Sequence, residues 1–380
     1  MSKNSKVAID LRDLKKGKTG TLTYLKSLCI VFDELNQKNG VEYLYIHYPF
    51  RVFDGTNKLG KLLEHVLFTL WKQVVLPIYC LVKGVDVLFC TDYFLPLLPI
   101  PTKKVVVFHD TFFFEHPQNY NPIWLKTFHW FALNALNNKT QIIVPSIYVQ
   151  ERLGMFLPQR KDQITVVYEA AKKMQIHQDA AFESWKVSFE YEIGQEPFIL
   201  YVGTLDHRKN LVRLVNAFDA VHKKHPGIKL VIAGDSPKYK YGNGKQDLID
   251  AIELLQLKQS VLLIGRVNDV QLQYLYEHAF FYAFPSIDEG FGLPIIEAME
   301  KGLPVMAANN TALPEIGGNA AIYFSPFNVQ EITDAMENLI ANDSLRAELK
   351  FNALQRAKLF SWEKAGKEIE LIFKQICQNN

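Results

Sequence analysis

Short β-branched runs alternate with longer amphipathic stretches along the whole chain. Six runs in the first half read as strands: Lys6–Leu11, Tyr43–His47, Val85–Phe89, Val105–His109, Gln141–Pro145 and Ile164–Val167. Six more follow in the second half: Phe198–Gly203, Lys229–Gly234, Val261–Ile264, Phe280–Phe284, Pro304–Ala307 and Ala320–Phe324. Helical patterns lie between them, as at Asn210–Lys224, Gln246–Leu257 and Asp269–His278. The runs are continuously apolar rather than alternating. That pattern belongs to strands buried on both faces, in parallel sheets flanked by helices.

The fold class is therefore α/β. Two doubly wound, Rossmann-like domains suit the size better than a single sheet of all the strands. The expected division is an N-terminal domain over 1–180, a C-terminal domain over 195–355 and a tail over 356–380 that packs back on the N-terminal domain. The polar stretch Lys172–Glu196 is expected to be the linker. The tail reads as helix, with Ser361 as a plausible N-cap. Open parallel sheets bind ligands at the carboxyl ends of their strands, so the chemistry is expected in the loops that follow them, facing a cleft between domains.

Composition narrows the classes. The chain has 380 residues, 48% hydrophobic and 22% charged, which excludes a disordered protein. Four scattered cysteines, Cys29, Cys80, Cys90 and Cys377, exclude a disulfide scaffold and show no metal spacing; reduced thiols in a cytosolic protein are expected. A formal net charge of +2 gives no basis for nucleic-acid binding. The start MSKNSKVAIDLRD has no signal-peptide pattern. The most apolar stretch, Val66–Val82, falls short of the ~20 residues that span a bilayer and is interrupted by Lys72, Gln73 and Pro77, so no transmembrane helix is expected. Lys58–Val82 does form an amphipathic pattern, with Leu62, Leu63, Val66, Leu67, Leu70 and Trp71 near one side. Pro122–Leu136 is markedly aromatic. Both suit helices that cover the N-terminal sheet, and both leave peripheral membrane contact open.

The most informative segment is PSIDEGFGLPIIEAMEKGLP, directly after the run Phe280–Phe284. It carries Glu289 and Glu297. Gly290 and Gly292 leave the backbone uncrowded. Pro294 suits the first helical position and Gly302-Leu303-Pro304 a helix end. The amides of Phe291, Gly292, Leu293 and Ile295 would surround a helix N-terminus, which favours phosphate through free donors and partial positive charge. A tight strand-to-helix turn alone would use the same glycines and proline.

EGFGLPIIE resembles the signature of family 4 glycosyltransferases, retaining enzymes of the GT-B fold. FILYVGTLDHRKNL, LVIAGD, LLIGRV and GLPVMAANNTALPEIGGNAAIYFSP are similar to the family's surrounding stretches, so the resemblance covers most of Phe198–Arg346. It is looser in AIDLRDLKKGKTGTLTYL, VVVFHDTFFFEHP and IIVPSIYVQERL. The resemblance implies a nucleoside diphosphate sugar bound mainly by the C-terminal domain and an acceptor on the N-terminal one. Glu297 would hold the ribose, and Glu289 with the amides of Phe291, Gly292 and Leu293 the sugar, with Thr204 and Gly290 also in the donor site. Arg266 would lie where the base packs. Arg208 and Lys209 would neutralise the departing diphosphate, a role suited to an Arg fork beside a compact Lys charge. The family pattern often places Arg directly after the strand glycine; here Thr204 holds that position.

In the first half, Gly17-Lys18-Thr19 invites a Walker A reading, but Arg12 stands where that motif needs a glycine. The resemblance instead brings Gly20 close to the donor phosphate. His109, at a strand end, would sit near the donor sugar as a catalytic residue, with Asp110 and Thr111 toward the acceptor. A metal site from His109, Asp110 and His116 matches no standard ligand set, and no cofactor beyond the nucleotide sugar is expected.

The expected function is a retaining glycosyltransferase of bacterial surface-polysaccharide or lipopolysaccharide assembly, mannosyl- or rhamnosyl-like, with GDP-mannose as first candidate donor. The acceptor is a glycan or lipid-linked hydroxyl, and the place is the cytoplasm at the inner membrane face. A same-fold epimerase or phosphorylase, or a non-catalytic nucleotide-sugar-binding protein, would share the cleft.

Overall fold

The computed structural model describes all residues except 1–4, 17–19, 37–39, 51–57, 175, 195, 237–242 and 379–380. The Walker-like Gly17-Lys18-Thr19 lies outside the described residues. The chain divides into two compact units, Met1–Ala170 with Ser361–Asn380, and Ala171–Phe360.

The first unit holds a six-stranded sheet in the order β2-β1-β3-β4-β5-β6. Its strands are β1 Ser5–Asp10, β2 Val41–Ile46, β3 Val87–Cys90, β4 Lys103–Val107, β5 Thr140–Val144 and β6 Ile164–Val166, all paired in parallel. Every apolar run picked out in this half forms a strand, with bounds shifted by a few residues. The terminal helix Trp362–Gln378 belongs to this unit. It approaches the helix Gly20–Asn36 so closely that a Cβ on Gly366 would lie 2.5 Å from the Val31 side chain. Phe373 meets Phe89 of β3 edge-on at 5.3 Å, and Tyr43 donates to Glu370 at 3.0 Å.

The apolar stretch before β3 departs from expectation. Helices Lys58–Leu70 and Leu76–Lys83 run on from one another through a π-helical turn, Trp71–Val75, in which the Leu76 amide reaches the Trp71 carbonyl. Pro77 directly follows this turn, where the hydrogen-bond ladder already departs from the α-helical register. Lys72 does not interrupt the helix, because its charge is internal: Nζ bonds Asp10 at 2.6 Å and Asp92 at 2.5 Å, with the side chain 1% exposed. The result is a 22-residue helical segment, Leu62–Lys83, long and apolar enough by length and composition to cross a membrane, with 28% of its apolar window buried. Its inner face carries Trp71, edge-on to Tyr48 at 5.2 Å. Its outer face leaves Leu62, Val66, Val74, Ile78 and Leu81 exposed.

The second unit holds a six-stranded parallel sheet in the order β12-β11-β10-β7-β8-β9. Its strands are β7 Phe198–Val202, β8 Lys229–Ala233, β9 Val261–Gly265, β10 Phe281–Phe284, β11 Val305–Ala308 and β12 Ala321–Phe324. The expected helices appear at Leu211–Lys224, Lys245–Leu254 and Asp269–His278. The expected linker does not. Lys172–Glu196 contains a helix, Ala180–Ile193, capped by Asp179 and buried at Phe182, Phe189 and Ile193. Its apolar positions recur at helical spacing, and Trp185 stacks on Phe189 at 5.2 Å, so the segment is part of the second unit. The boundary falls at 170/171, and the tail joins the first unit from Ser361 onward.

Candidate active site

In the second sheet β7 and β10 are neighbours, and the chain runs outward from them in opposite directions. This is a topological switch point, where the loops leaving the two strands diverge and open a crevice. The loop after β7 carries Thr204–Asn210 and the loop after β10 carries Pro285–Gly292. Glycine lets the strand exits pack: a Cβ on Gly234, beyond β8, would lie 1.7 Å from the Gly203 carbonyl oxygen.

Asp206 shapes the first loop. Its side chain accepts from the Arg208 amide at 3.0 Å and from the Thr204 hydroxyl at 2.9 Å. Thr204 thus forms part of the loop's internal bonding. The turn His207–Lys209 presents Arg208 and Lys209 to the other loop, and the Ile287 amide donates to the Arg208 carbonyl at 2.8 Å. Arg208 also donates to the Asp288 carbonyl.

The two cations meet Glu289. Lys209 Nζ donates to Oε1, and Arg208 Nη1 lies 3.0 Å from Oε2. Lys209 is also 5.2 Å from the Phe284 ring centroid. Burial disfavours the charge on Glu289, but Lys209 and Arg208 outweigh it and hold the carboxyl down at about 2. Burial lowers the Lys209 pKa, helped by Arg208 and opposed by Glu289. Arg208 Nε also lies 3.9 Å from Asp206 Oδ1, so the two cations face two carboxylates, and Arg208 is the more open of the pair, its side chain 26% exposed against 10% for Lys209.

Beyond Glu289 the chain passes through Gly290 and Phe291 into Gly292, whose φ of 103° suits glycine, and starts the helix Leu293–Glu300. Pro294 occupies its first turn. The Ile295 amide bonds the Gly292 carbonyl at 2.9 Å, so it is not an open donor as expected. Gly292 and Leu293 contribute the first-turn amides that no intrahelical carbonyl reaches. Phe291 is buried, edge-on to Phe360 at 5.9 Å; its side chain serves the core while its backbone lines the turn. Glu297, one turn in, accepts from the Tyr276 hydroxyl at 3.1 Å. Partial burial raises its pKa, against the pull of Tyr276 and Lys172. Arg266, after β9, is largely exposed and lies 3.8 Å from Asp235.

A cavity of about 500 Å³ opens on the far side of the β7 loop, lined by Asp206, His207, Asn210, Arg213, Gly244 and Ile287 among others. Arg208, Lys209 and Glu289 do not line it.

In the first unit the expected residues are engaged with the protein itself. His109 Nδ1 lies 3.1 Å from Glu169 Oε1, and Nε2 lies 3.0 Å from the Thr91 carbonyl. Both partners accept, so both ring nitrogens are engaged and neither is left for a sugar hydroxyl. Burial opposes the charge on this His, but Glu169 and Asp110 raise its pKa. Asp110 accepts from the Phe112 amide at 3.3 Å. Thr111 is 1% exposed and its hydroxyl bonds Glu115 at 3.2 Å, which turns it away from any acceptor. Gly20 opens the helix Gly20–Asn36.

Asp10, Cys90 and Asp92 gather closely enough to hold a metal ion, but the Lys72 ammonium bonds both carboxylates. Asp13 stands beside this group and accepts from Thr91 at 3.1 Å. Burial, then Asp92 and Asp10, push its carboxyl up to about 6 against the pull of Lys72. Sequence reasoning missed Glu169, Tyr276 and Asn210. Only Asn210 left a signal, its place directly after the basic pair.

Residues 183–356 match the family described as glycosyl transferases group 1. The match falls within the second unit, Ala171–Phe360. Over a longer stretch the chain is 29% identical across 270 residues to O-antigen chain mannosyltransferase B of Escherichia coli, covering 69% of this chain and 67% of that one. It is 32% identical across 179 residues to the serotype-specific mannosyltransferase WbdA of Escherichia coli, covering 46% of this chain and 21% of that protein. The sucrose-phosphate synthase of Thermosynechococcus elongatus superposes with a TM-score of 0.74 at 17% identity, covering 99% of this chain and 100% of that one. The glycosyltransferase architecture is GT-B, as the resemblance implied.

Proposed function

We propose that this protein transfers a hexosyl group from a nucleoside diphosphate sugar, GDP-mannose foremost, to a hydroxyl of a glycan or lipid-linked acceptor during surface-polysaccharide assembly. The observation that carries the reading is the meeting of Arg208, Lys209 and Glu289 at the switch point, beside the helix that Gly292 opens. The pyrophosphate sits on the Gly292 and Leu293 amides with Arg208 and Lys209 alongside. Glu297 takes the ribose, Arg266 flanks the base, and Glu289 takes the sugar. The mannosyltransferase names of the two curated relatives support the choice of sugar.

Transfer proceeds with retention. The acceptor oxygen forms its bond to the anomeric carbon on the face from which the phosphate oxygen departs, and its proton passes to that phosphate oxygen. Arg208 and Lys209 stabilise the charge that develops on the leaving group, the task a divalent cation performs elsewhere, so the reaction is metal-independent. The N-terminal unit binds the acceptor. Its exposed apolar stripe from Leu59 to Val82, with Ile123 and Trp130 on the helix Pro122–Asn134, suits peripheral contact with the cytoplasmic face of a membrane.

Thermal denaturation against a panel of nucleoside diphosphates and their sugars tests the reading. A ligand that binds only the native state raises the melting temperature. GDP and GDP-mannose are expected to raise it, and no shift with any of the panel overturns the proposal.

A further inference from the structure

The structure assigns Asn210 as the positioning residue that holds the two cations and the glutamate in register, an inference that rests on the donor-site reading above. Asn210 follows Lys209 directly and is 4% exposed. Its backbone is left-handed, with φ 61° and ψ 30°, a conformation Asn tolerates better than most residues. Its side-chain amide donates to the Pro285 carbonyl at 3.1 Å and to the Pro326 carbonyl at 2.7 Å. Its Oδ1 accepts from Arg213 Nη1 at 2.8 Å. Two carbonyl acceptors and one guanidinium donor fix which end of the amide is nitrogen. Both N–H groups and the oxygen are thereby satisfied.

The position of Asn210 suggests the ordinary role of a helix cap, since the helix Leu211–Lys224 begins beside it. Yet its side chain makes no capping bond to that helix. It reaches instead to the exits of two strands. Pro285 directly follows β10 and begins the loop that carries Glu289; Pro326 lies just beyond β12. One buried amide therefore ties the backbone bearing Arg208 and Lys209 to the backbone bearing Glu289. The Ile287 amide, bonded to the Arg208 carbonyl at 2.8 Å, adds a second tie between the same loops. The side-chain polar atoms of Asn210 are all bonded within the protein. It acts through Lys209 and Glu289, whose spacing sets where pyrophosphate and sugar can lie together.

The test uses N210D and N210G beside K209A and the wild type. N210D keeps the shape and the acceptor for Arg213 but loses both donors and sets a carboxylate against two carbonyls. N210G suits the left-handed backbone and removes the tie without adding charge, which keeps the test open if N210D does not fold. The readouts are calorimetric binding of GDP and UDP, and turnover of the matching mannose or glucose donor. A misplacement of about 1 Å at a reacting centre costs about a hundredfold in rate. Both variants are expected to lose about a hundredfold in kcat, with the acceptor KM and the circular dichroism of the folded protein unchanged. Either variant turning over normally while K209A is inactive overturns the role of Asn210 and leaves the donor site standing. A wild-type protein that binds neither nucleotide, or normal turnover by K209A, overturns the donor-site reading and this inference with it.

Discussion

Lys209 and Glu289 lie 80 positions apart in the chain and meet in an ion pair between the loops that leave β7 and β10. Neither is at its ordinary ionisation balance. Burial and Arg208 weaken the hold of Lys209 on its proton, while the two cations keep Glu289 ionised down to about pH 2. At neutral pH the pair is charged and sits beside the first amides of the helix Leu293–Glu300, in the crevice where open parallel sheets bind ligands. A diphosphate arriving there meets fixed cations already paired to a carboxylate, so little reorganisation remains for the reacting complex.

Removing Glu289 takes the shared counter-ion from two cations, and removing Lys209 leaves the buried Glu289 with Arg208 alone. Glu289→Gln and Lys209→Ala are each expected to lower turnover by about a hundredfold or more, the scale of losing one positioned electrostatic group. Glu289→Gln also frees two cations for phosphate, so its affinity for a free nucleoside diphosphate is expected to hold or rise while Lys209→Ala loses affinity. Steady-state kinetics with calorimetry separates the two. Near-normal transfer by both variants contradicts the site.

His109 and Glu169 give a pH dependence with a defined sign. The folded-state pKa of His109 is raised above the ordinary 6.5 by Glu169 and Asp110, against the effect of burial. The pair therefore stabilises the fold fully below that ordinary value, and its contribution is lost as pH rises through the raised value. The melting temperature of the wild type is expected to exceed that of Glu169→Gln most at about pH 6 and by less in alkaline buffer. A ¹⁵N spectrum at neutral pH is expected to show the His109 ring protonated at both nitrogens. A neutral-ring signature there contradicts the assignment.

Asp13 gives a pH dependence of the same sign as His109, the reverse of the usual one for a carboxylate. Its folded pKa is raised from 3.8 to about 6, by burial first and then by Asp92 and Asp10. Its contribution to stability is present below 3.8 and lost as pH rises through about 6. Asp13→Asn removes the charge and keeps an oxygen for the Thr91 hydroxyl. Its melting temperature is expected to exceed that of the wild type above pH 6 and not below pH 4. An equal shift at both pH values contradicts the sign.

The apolar stripe on the helices before β3 makes a prediction independent of catalysis. Leu62 and Val66 are 60% and 55% exposed on its outer face. The wild type is expected to float with anionic liposomes, and the double variant Leu62→Asp, Val66→Asp to remain in solution with its fold intact. A wild type that does not float removes membrane contact from the account.

Most of the architecture was legible because buried parallel strands write themselves as continuous apolar runs, and all twelve runs became strands. The cluster of Arg208, Lys209 and Glu289 was legible for the same reason, since those residues follow strand ends. What stayed hidden depends on partners distant in sequence. Lys72 reads as a break in an apolar helix until Asp10 and Asp92, 62 and 20 positions away, are seen to receive its charge. His109 reads as a ligand for substrate until Glu169, 60 positions on, engages its ring. Ala180–Ile193 reads as linker because charged and polar residues are scattered through the whole of Lys172–Glu196, although Phe182, Trp185, Phe189 and Ile193 share a face. Local pattern shows an element, whereas a polar side chain's role is decided by what the topology brings to it.

The most direct measurement is a crystal structure with GDP or UDP bound. The two phosphates are expected within hydrogen-bond distance of the Gly292 and Leu293 amides and of the Arg208 guanidinium. A nucleotide seated elsewhere, or a crevice between the β7 and β10 loops left closed around the Glu289 ion pairs at saturating nucleotide, contradicts it.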